Sequence, residues 1–137
     1  DFTQQNVHTN LLLVMDVLEH LENYFDFLKN IQTKSDYTIF HIPLDMCVWA
    51  LFREGILIDS KNRVGHIHNF TEQFITQVLQ DYGFIIVNKM YTPPLYSRTT
   101  LKEHLVHALR KALFALHPTL GIKIMGGYSV LLLSKNK

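Results

Sequence analysis

Leu11-Leu12-Leu13-Val14-Met15-Asp16-Val17-Leu18-Glu19-His20 is the stretch of sequence that decides the fold. Its first five residues form a continuous apolar run, which is typical of a strand buried on both faces of a parallel sheet. Asp16 ends this run, and apolar residues then recur at helical spacing from Leu18 as far as Ile31. The stretch therefore predicts a buried strand followed by a helix, with polar side chains at the junction.

The rest of the chain alternates between strand-like and helix-like segments. Strands are predicted over 37–42, 84–87 and 128–134, and helices over 71–82 and 100–116. A short strand is also predicted over 55–59, inside the segment 44–65, which is longer than an ordinary connection and is therefore interpreted as a lid. This alternation favours an α/β sheet in one domain, since no linker divides the 137 residues.

Composition and charge restrict the class of protein. Hydrophobic residues make up 47% of the chain and charged residues 18%, which is typical of a packed globular domain. A formal net charge of +1 argues against a broad nucleic-acid-binding surface. The single cysteine, Cys47, excludes an internal disulfide, and no apolar run approaches the ~20 residues that span a bilayer. These features predict a cytoplasmic protein.

Three motifs resemble landmarks of the class I S-adenosylmethionine-dependent methyltransferases. The stretch 11–20 resembles the family's fourth strand, Gly65-His66-Ile67-His68-Asn69-Phe70-Thr71 resembles the entry to its next helix, and Leu79-x-x-Tyr82-Gly83-Phe84 resembles the following helix–strand join. The motifs occur in the family's order and are closest to the group of ubiquinone-biosynthesis O-methyltransferases. The resemblance implies strands four to seven of a seven-stranded Rossmann-like sheet, the last strand being antiparallel.

The resemblance also implies that part of the family's domain is missing from this chain. The family's first strands and glycine-rich loop have no counterpart before Asp1, so residues 1–137 are expected to be a partial, truncated methyltransferase domain. Such a fragment is expected to be inactive alone. The strand 11–15 would lack one neighbour, and its exposed edge is expected to make the fragment self-associate.

Site residues and a cofactor follow from the same resemblance. The implied cofactor is S-adenosylmethionine, and its expected contacts are Asp1, Phe2, Met15 and Asp16. Glu19 and His20 are expected to point towards the methyl acceptor, with His20 as the general base because imidazole titrates near neutral pH. The predicted acceptor is a small or lipid-like molecule.

A metal site is one alternative. Asp16, Glu19 and His20 have i, i+3, i+4 spacing, which places them on one face if the helix begins early. Some relatives, among them small-RNA 2′-O-methyltransferases, bind a divalent cation with an acid-x-x-Glu-His set, and His66 or His68 would add an imidazole. Because relatives without a metal share this motif, we assign no metal ligand from sequence, and a metal-dependent RNA 2′-O-methyltransferase stays an alternative.

Two further readings concern surfaces and partners. The helix 100–116 carries basic residues beside its leucines, which is compatible with contact to a membrane surface. A catalytically inactive interaction module with a methyltransferase-like fold is the second alternative function. The remaining histidines share no pattern and are expected to be solvated: His8, His41, His104, His107 and His117.

Overall fold

A computed structural model of the chain describes residues 7–53, 55–94 and 100–137. Its sheet consists of β1 (Thr9–Met15), β2 (Ser35–Pro43), β3 (Phe84–Thr92) and β4 (Ser129–Asn136). The strand order is β1-β2-β4-β3, with β1 parallel to β2 and with β4 antiparallel to both of its neighbours. The predicted α/β class with an antiparallel last strand is therefore confirmed.

Helices occupy the connections between these strands. They are a 3-10 turn (Leu18–His20), α1 (Tyr24–Ile31), α2 (Val48–Phe52), α3 (Ile56–Val64), α4 (Glu72–Asp81), α5 (Leu101–Leu116) and α6 (Pro118–Met125). Thr71 caps α4 by accepting a hydrogen bond from the backbone N–H of Phe74. Thr100 and Glu103 form a capping box at the start of α5. No helix within the described ranges is long and apolar enough to cross a bilayer.

The segment 44–65 differs from its prediction. Residues 56–59 begin α3 instead of forming a strand, and no described strand pairs with them. Two left-handed glycines bound the helix, Gly55 as its N-cap and Gly65 as its C-cap. Gly55 has a φ of 93° and Gly65 a φ of 80°, and only glycine adopts such angles readily. The segment is thus built mainly from α2 and α3, and its role as a lid stays a prediction.

The helix after β1 begins later than the apolar spacing predicts. Asp16 has a φ of 49°, which directs the chain away from the strand before any helix starts. Leu21 is extended and separates the 3-10 turn from α1, which starts at Tyr24 with Asn23 as its N-cap. Glu19 and His20 therefore lie on a short 3-10 turn and not on α1.

The core lies where one face of the sheet meets α1 and α4. Alternate residues of the two central strands are buried, among them Phe40 of β2 and Leu132 of β4. Leu28 of α1 and Leu79 of α4 belong to the same apolar cluster, and both are fully buried. This packing holds the ends of β1 and β2 in place beside each other.

β1 is not buried on both faces, contrary to its prediction. Val14 is buried, but Leu11, Leu13 and Met15 expose 48%, 59% and 45% of their surface. These three alternate residues point to the same face of the sheet, and that face is open at β1. β1 is also an edge strand, since it pairs only with β2 among the described strands. An exposed apolar strand edge is a template for pairing with another chain.

Leu13→Lys is expected to weaken self-association of the chain. A lysine at this position places a charge on an otherwise apolar edge strand, and this charge disfavours pairing of that strand with a second copy of the chain. Light scattering should show oligomers for the unmodified chain and mainly monomers for the variant. Leu105→Lys is the control, because Leu105 is 71% exposed but lies on α5. A monomeric unmodified chain, or a loss of oligomers only in the α5 variant, would contradict the prediction.

Candidate functional site

Polar side chains gather where the parallel strands β1 and β2 end. Open α/β sheets bind ligands at this edge. The turn that contains Glu19 follows β1 and is joined to the segment before α4. The backbone N–H groups of Ile67 and His68 both donate to the carbonyl oxygen of Glu19, at 2.8 and 3.1 Å. Two distant parts of the sequence therefore meet at one site.

Glu19 is the buried acid of this site. Its side chain is fully buried, and neither carboxylate oxygen has a hydrogen-bond partner among the described residues. Burial raises the pKa of the carboxyl above its ordinary range, and repulsion from Asp16 adds to this, while the two nearby imidazoles of His66 and His20 oppose it. A buried carboxylate without a partner costs free energy unless a cation neutralises it.

Two imidazole rings face Glu19. Nε2 of His20 and Nε2 of His66 each lie 4.0 Å from Oε1 of Glu19. Nδ1 of His20 lies 3.0 Å from the carbonyl oxygen of Gly65, and Nδ1 of His66 lies 2.7 Å from Oδ2 of Asp45. Because both partners are acceptors, each neutral ring carries its proton on Nδ1 and keeps its lone pair on Nε2, the atom that lies 4.0 Å from Glu19.

This set of side chains fits a divalent cation. One ligand atom from each of Glu19, His20 and His66 lies within 4.8 Å of the others. The outer hydrogen bonds of both rings are of the kind that orients metal-ligating histidines. Asp16 is not part of the set, because the late start of α1 removes the shared helix face. His68 is also outside it, since its Nε2 bonds to the carbonyl oxygen of Leu21 at 2.9 Å.

Asp16 belongs instead to a chain of hydrogen bonds across the sheet. Its Oδ1 lies 2.7 Å from Nδ1 of His41, and Nε2 of His41 lies 2.8 Å from Oγ1 of Thr92. The His41 side chain is 18% exposed, whereas that of Asp16 is 55% exposed. The expectation of a solvated His41 is therefore wrong, because the pairing of β1 with β2 brings the ring beside Asp16.

Heteronuclear NMR of the imidazole nitrogens is expected to show one shared tautomer. In their neutral forms His20, His41 and His66 should carry the proton on Nδ1, because Nδ1 of each ring faces an acceptor oxygen. Asp45→Ala should change the spectrum of His66 and leave that of His41 unchanged. Protonation on Nε2 in the unmodified protein would contradict the geometry.

The other predicted site residues have different outcomes. Asp1 and Phe2 lie outside the described residues. Met15 ends β1 with its side chain half exposed, beside His41 in the register of the sheet. Sequence reasoning did not find the roles of His41, Asp45 and Ser60. The available signal for Asp45 was its position, because it follows the end of β2 as Asp16 follows the end of β1.

Comparison with known proteins gives matches only at the level of structure. No protein-family model and no curated protein matches the sequence. The structure of magnesium protoporphyrin IX methyltransferase from Synechocystis PCC 6803, with bound SAH, is 16% identical with a TM-score of 0.55, covering 100% of this chain and 48% of that one. A SAM-dependent methyltransferase from Methanosarcina mazei is 12% identical with a TM-score of 0.59, covering 99% and 64%.

A SAM-dependent methyltransferase from Archaeoglobus fulgidus is 15% identical with a TM-score of 0.52, covering 92% of this chain and 58% of that one. The chain thus spans about half the length of the solved structures it matches. Sequence identities this low leave the shared architecture as the finding. The chain therefore has part of the Rossmann-like fold of the class I S-adenosylmethionine-dependent methyltransferases.

Proposed function

We propose that the protein transfers a methyl group from S-adenosylmethionine to a small-molecule or lipid-like acceptor. The observation that carries this proposal is the cluster of Glu19, His20 and His66 at the ligand-binding edge of a methyltransferase-like sheet. A solved structure with this fold contains SAH. S-adenosylmethionine would supply an electrophilic methyl group on its sulfonium.

Two residues at the end of β1 have the position expected for cofactor contacts. The Asp16 carboxylate is half exposed and is held by His41, so it is oriented without being covered. Its φ of 49° turns the backbone at the point where β1 ends. We infer that Met15 and Asp16 bind one side of the cofactor. In-line methyl transfer requires that the methyl donor and the acceptor be held in the correct orientation.

His20 has the position expected for a residue on the acceptor side. Its side chain is 39% exposed, so an acceptor can reach the ring. The bond from Nδ1 to the carbonyl oxygen of Gly65 leaves Nε2 able to accept a proton from a hydroxyl group.

The exposed face of α5 supports a lipid-like acceptor. Leu101, Leu105 and Leu109 expose 87%, 71% and 52% of their surface. Lys102 and Lys111 lie on the same helix. A helix with exposed leucines and basic residues is suited to a lipid surface.

A second candidate function is methyl transfer to a hydroxyl group assisted by a divalent cation. The buried and unpartnered carboxylate of Glu19 favours it, together with the two Nε2 atoms directed at that carboxylate. A bound cation would polarise and orient an acceptor oxygen. A ribose hydroxyl of RNA has the right chemistry, but a net charge of +1 supplies no extended surface for an RNA backbone.

Calorimetric titration with S-adenosylmethionine tests the main proposal on the protein at its natural length. We expect binding that weakens about tenfold in Asp16→Asn, an effect worth about 1.4 kcal/mol. His20→Gln should leave this affinity unchanged while lowering methyl transfer by about 10² or more, as for loss of a general base. Absence of binding by the unmodified protein would reject the proposal and leave the inactive interaction module.

A further inference from the structure

A cavity of about 390 Å³ lies between α2, α3 and α5. Its wall includes Asp45 and Ser60, and these two side chains hydrogen-bond to Nδ1 of His66 at 2.7 and 3.2 Å. The cavity therefore adjoins the cluster formed by Glu19, His20 and His66. Its volume is that of a small-molecule site.

The described part of the wall favours an anion. Its cationic side chains are Arg53, Lys102 and Arg110. Asp45 and Glu103 also line the cavity, and each carboxylate accepts a hydrogen bond, Asp45 from His66 and Glu103 from the backbone N–H of Thr100 at 3.1 Å. The described wall thus carries three cationic and two acidic side chains. Thr100 caps a helix of 16 residues, so the positive end of its dipole also faces the cavity.

Arg110 is fixed in this wall by packing. It is 7% exposed, and its Nη2 donates to the carbonyl oxygen of Met125 at 3.3 Å. Gly127 provides the space for the guanidinium, because a Cβ there would lie 2.5 Å from Cζ of Arg110. A guanidinium held in one orientation keeps its positive charge at this wall without losing further rotamer freedom.

We propose that this cavity holds the methyl acceptor, and that the acceptor is a small amphiphilic anion with one carboxylate or phosphate group. This inference rests on the proposed function, since it names the class of molecule that the site takes. The apolar body of the acceptor contacts Trp49, Leu57 and Val106 of the wall. The anionic group lies against the three cations and the start of α5.

Trp49 makes the inference directly measurable, because it is the only tryptophan of the chain. Benzoate and phenyl phosphate are titrated in the absence of S-adenosylmethionine, with uncharged benzamide as the matched probe. We expect a saturable change of Trp49 fluorescence with both anions and at least tenfold weaker binding of benzamide. The tighter of the two anions identifies the head group.

Lys102→Gln should weaken binding of the anions at least fivefold, and Arg110→Lys should weaken it while keeping the charge. Lys29→Gln is the matched control, because Lys29 is an exposed residue of α1 that does not line the cavity. Circular dichroism must show unchanged folding of each variant used. Equal binding of benzamide and the anions, no saturable binding, or equal effects of the Lys102 and Lys29 variants would overturn the inference.

The two proposals fail separately in this design. Anion-selective binding without any affinity for S-adenosylmethionine would reject the methyltransferase proposal and leave the cavity as an anion site. Affinity for S-adenosylmethionine without anion selectivity would reject only the assignment of the cavity.

Discussion

Glu19→Gln is expected to abolish the stabilisation of the chain by Mn²⁺ or Zn²⁺. A carboxylate and two imidazoles suit these ions better than Mg²⁺, which prefers oxygen ligands. An ion that binds only the folded state raises the free energy of unfolding by about 2.7 kcal/mol at a free concentration 100 times its Kd. Thermal unfolding with each ion should show this gain for the unmodified chain and none for the variant.

The same substitution is expected to have the opposite effect in a chelator. Burial raises the pKa of Glu19, so the folded chain binds this proton more tightly than the unfolded chain does. Stability from this group is therefore greatest at acidic pH and falls as the pH rises from the ordinary carboxyl range through the raised pKa. Glutamine has no proton to lose and stays neutral, so at pH 8 the Glu19→Gln chain should be more stable than the unmodified chain.

Glu22→Gln is the matched control for both measurements. Glu22 lies three residues further along the chain and is exposed, so its substitution should change neither the response to metal nor the pH dependence. Equal stabilisation of the Glu19 variant and the unmodified chain by Mn²⁺ and Zn²⁺ would show that the cluster is not a cation site.

Phe40→Ala is expected to remove a large part of the stability of the chain. Phe40 is fully buried in β2, and its ring packs edge-on against Phe84 with centroids 5.0 Å apart. Replacing a buried phenylalanine by alanine costs about 3–5 kcal/mol, which compares with a total stability of about 5–15 kcal/mol for a typical domain. Urea unfolding should show a midpoint lowered in proportion, or no folded baseline.

Phe52→Ala makes the same chemical change at a surface position. Phe52 is 85% exposed at the end of α2, so its loss should alter the free energy of unfolding by less than about 0.5 kcal/mol. Similar effects of the two substitutions would mean that the sheet does not pack on α1 and α4 as described.

The parts of the fold that sequence predicts well are those with a strong local pattern. β1 follows from five apolar residues and Asp16, and α4 follows from the Thr71 cap and its apolar face. Residues 55–59 were predicted as a strand because Ile56 and Ile58 are β-branched. Gly55 and Gly65 bound α3 through their positive φ angles, which the sequence pattern does not display. α6 was missed because Pro118 reads as the end of α5 although it is also well suited to a first helical turn.

The site was predictable only where its residues are neighbours in sequence. Glu19 and His20 stand in one motif, and His66 was among the possible further ligands. The bond between Asp16 and His41 depends on which strands pair, and the bond between His66 and Asp45 depends on how 65–70 crosses the end of the sheet. Neither hydrogen bond produces a periodic pattern in the sequence, so neither could be predicted from the sequence alone.

The position of β4 constrains the order in which the sheet forms during synthesis of the chain. β4 follows every other strand along the chain, yet it lies between β2 and β3 and supplies both of them with hydrogen bonds. While the ribosome is still translating residues before Ser129, β3 has no place in the sheet and β2 has one open edge. The sheet can therefore close only once β4 has emerged, and until then β3 and one edge of β2 expose unpaired backbone groups to other chains.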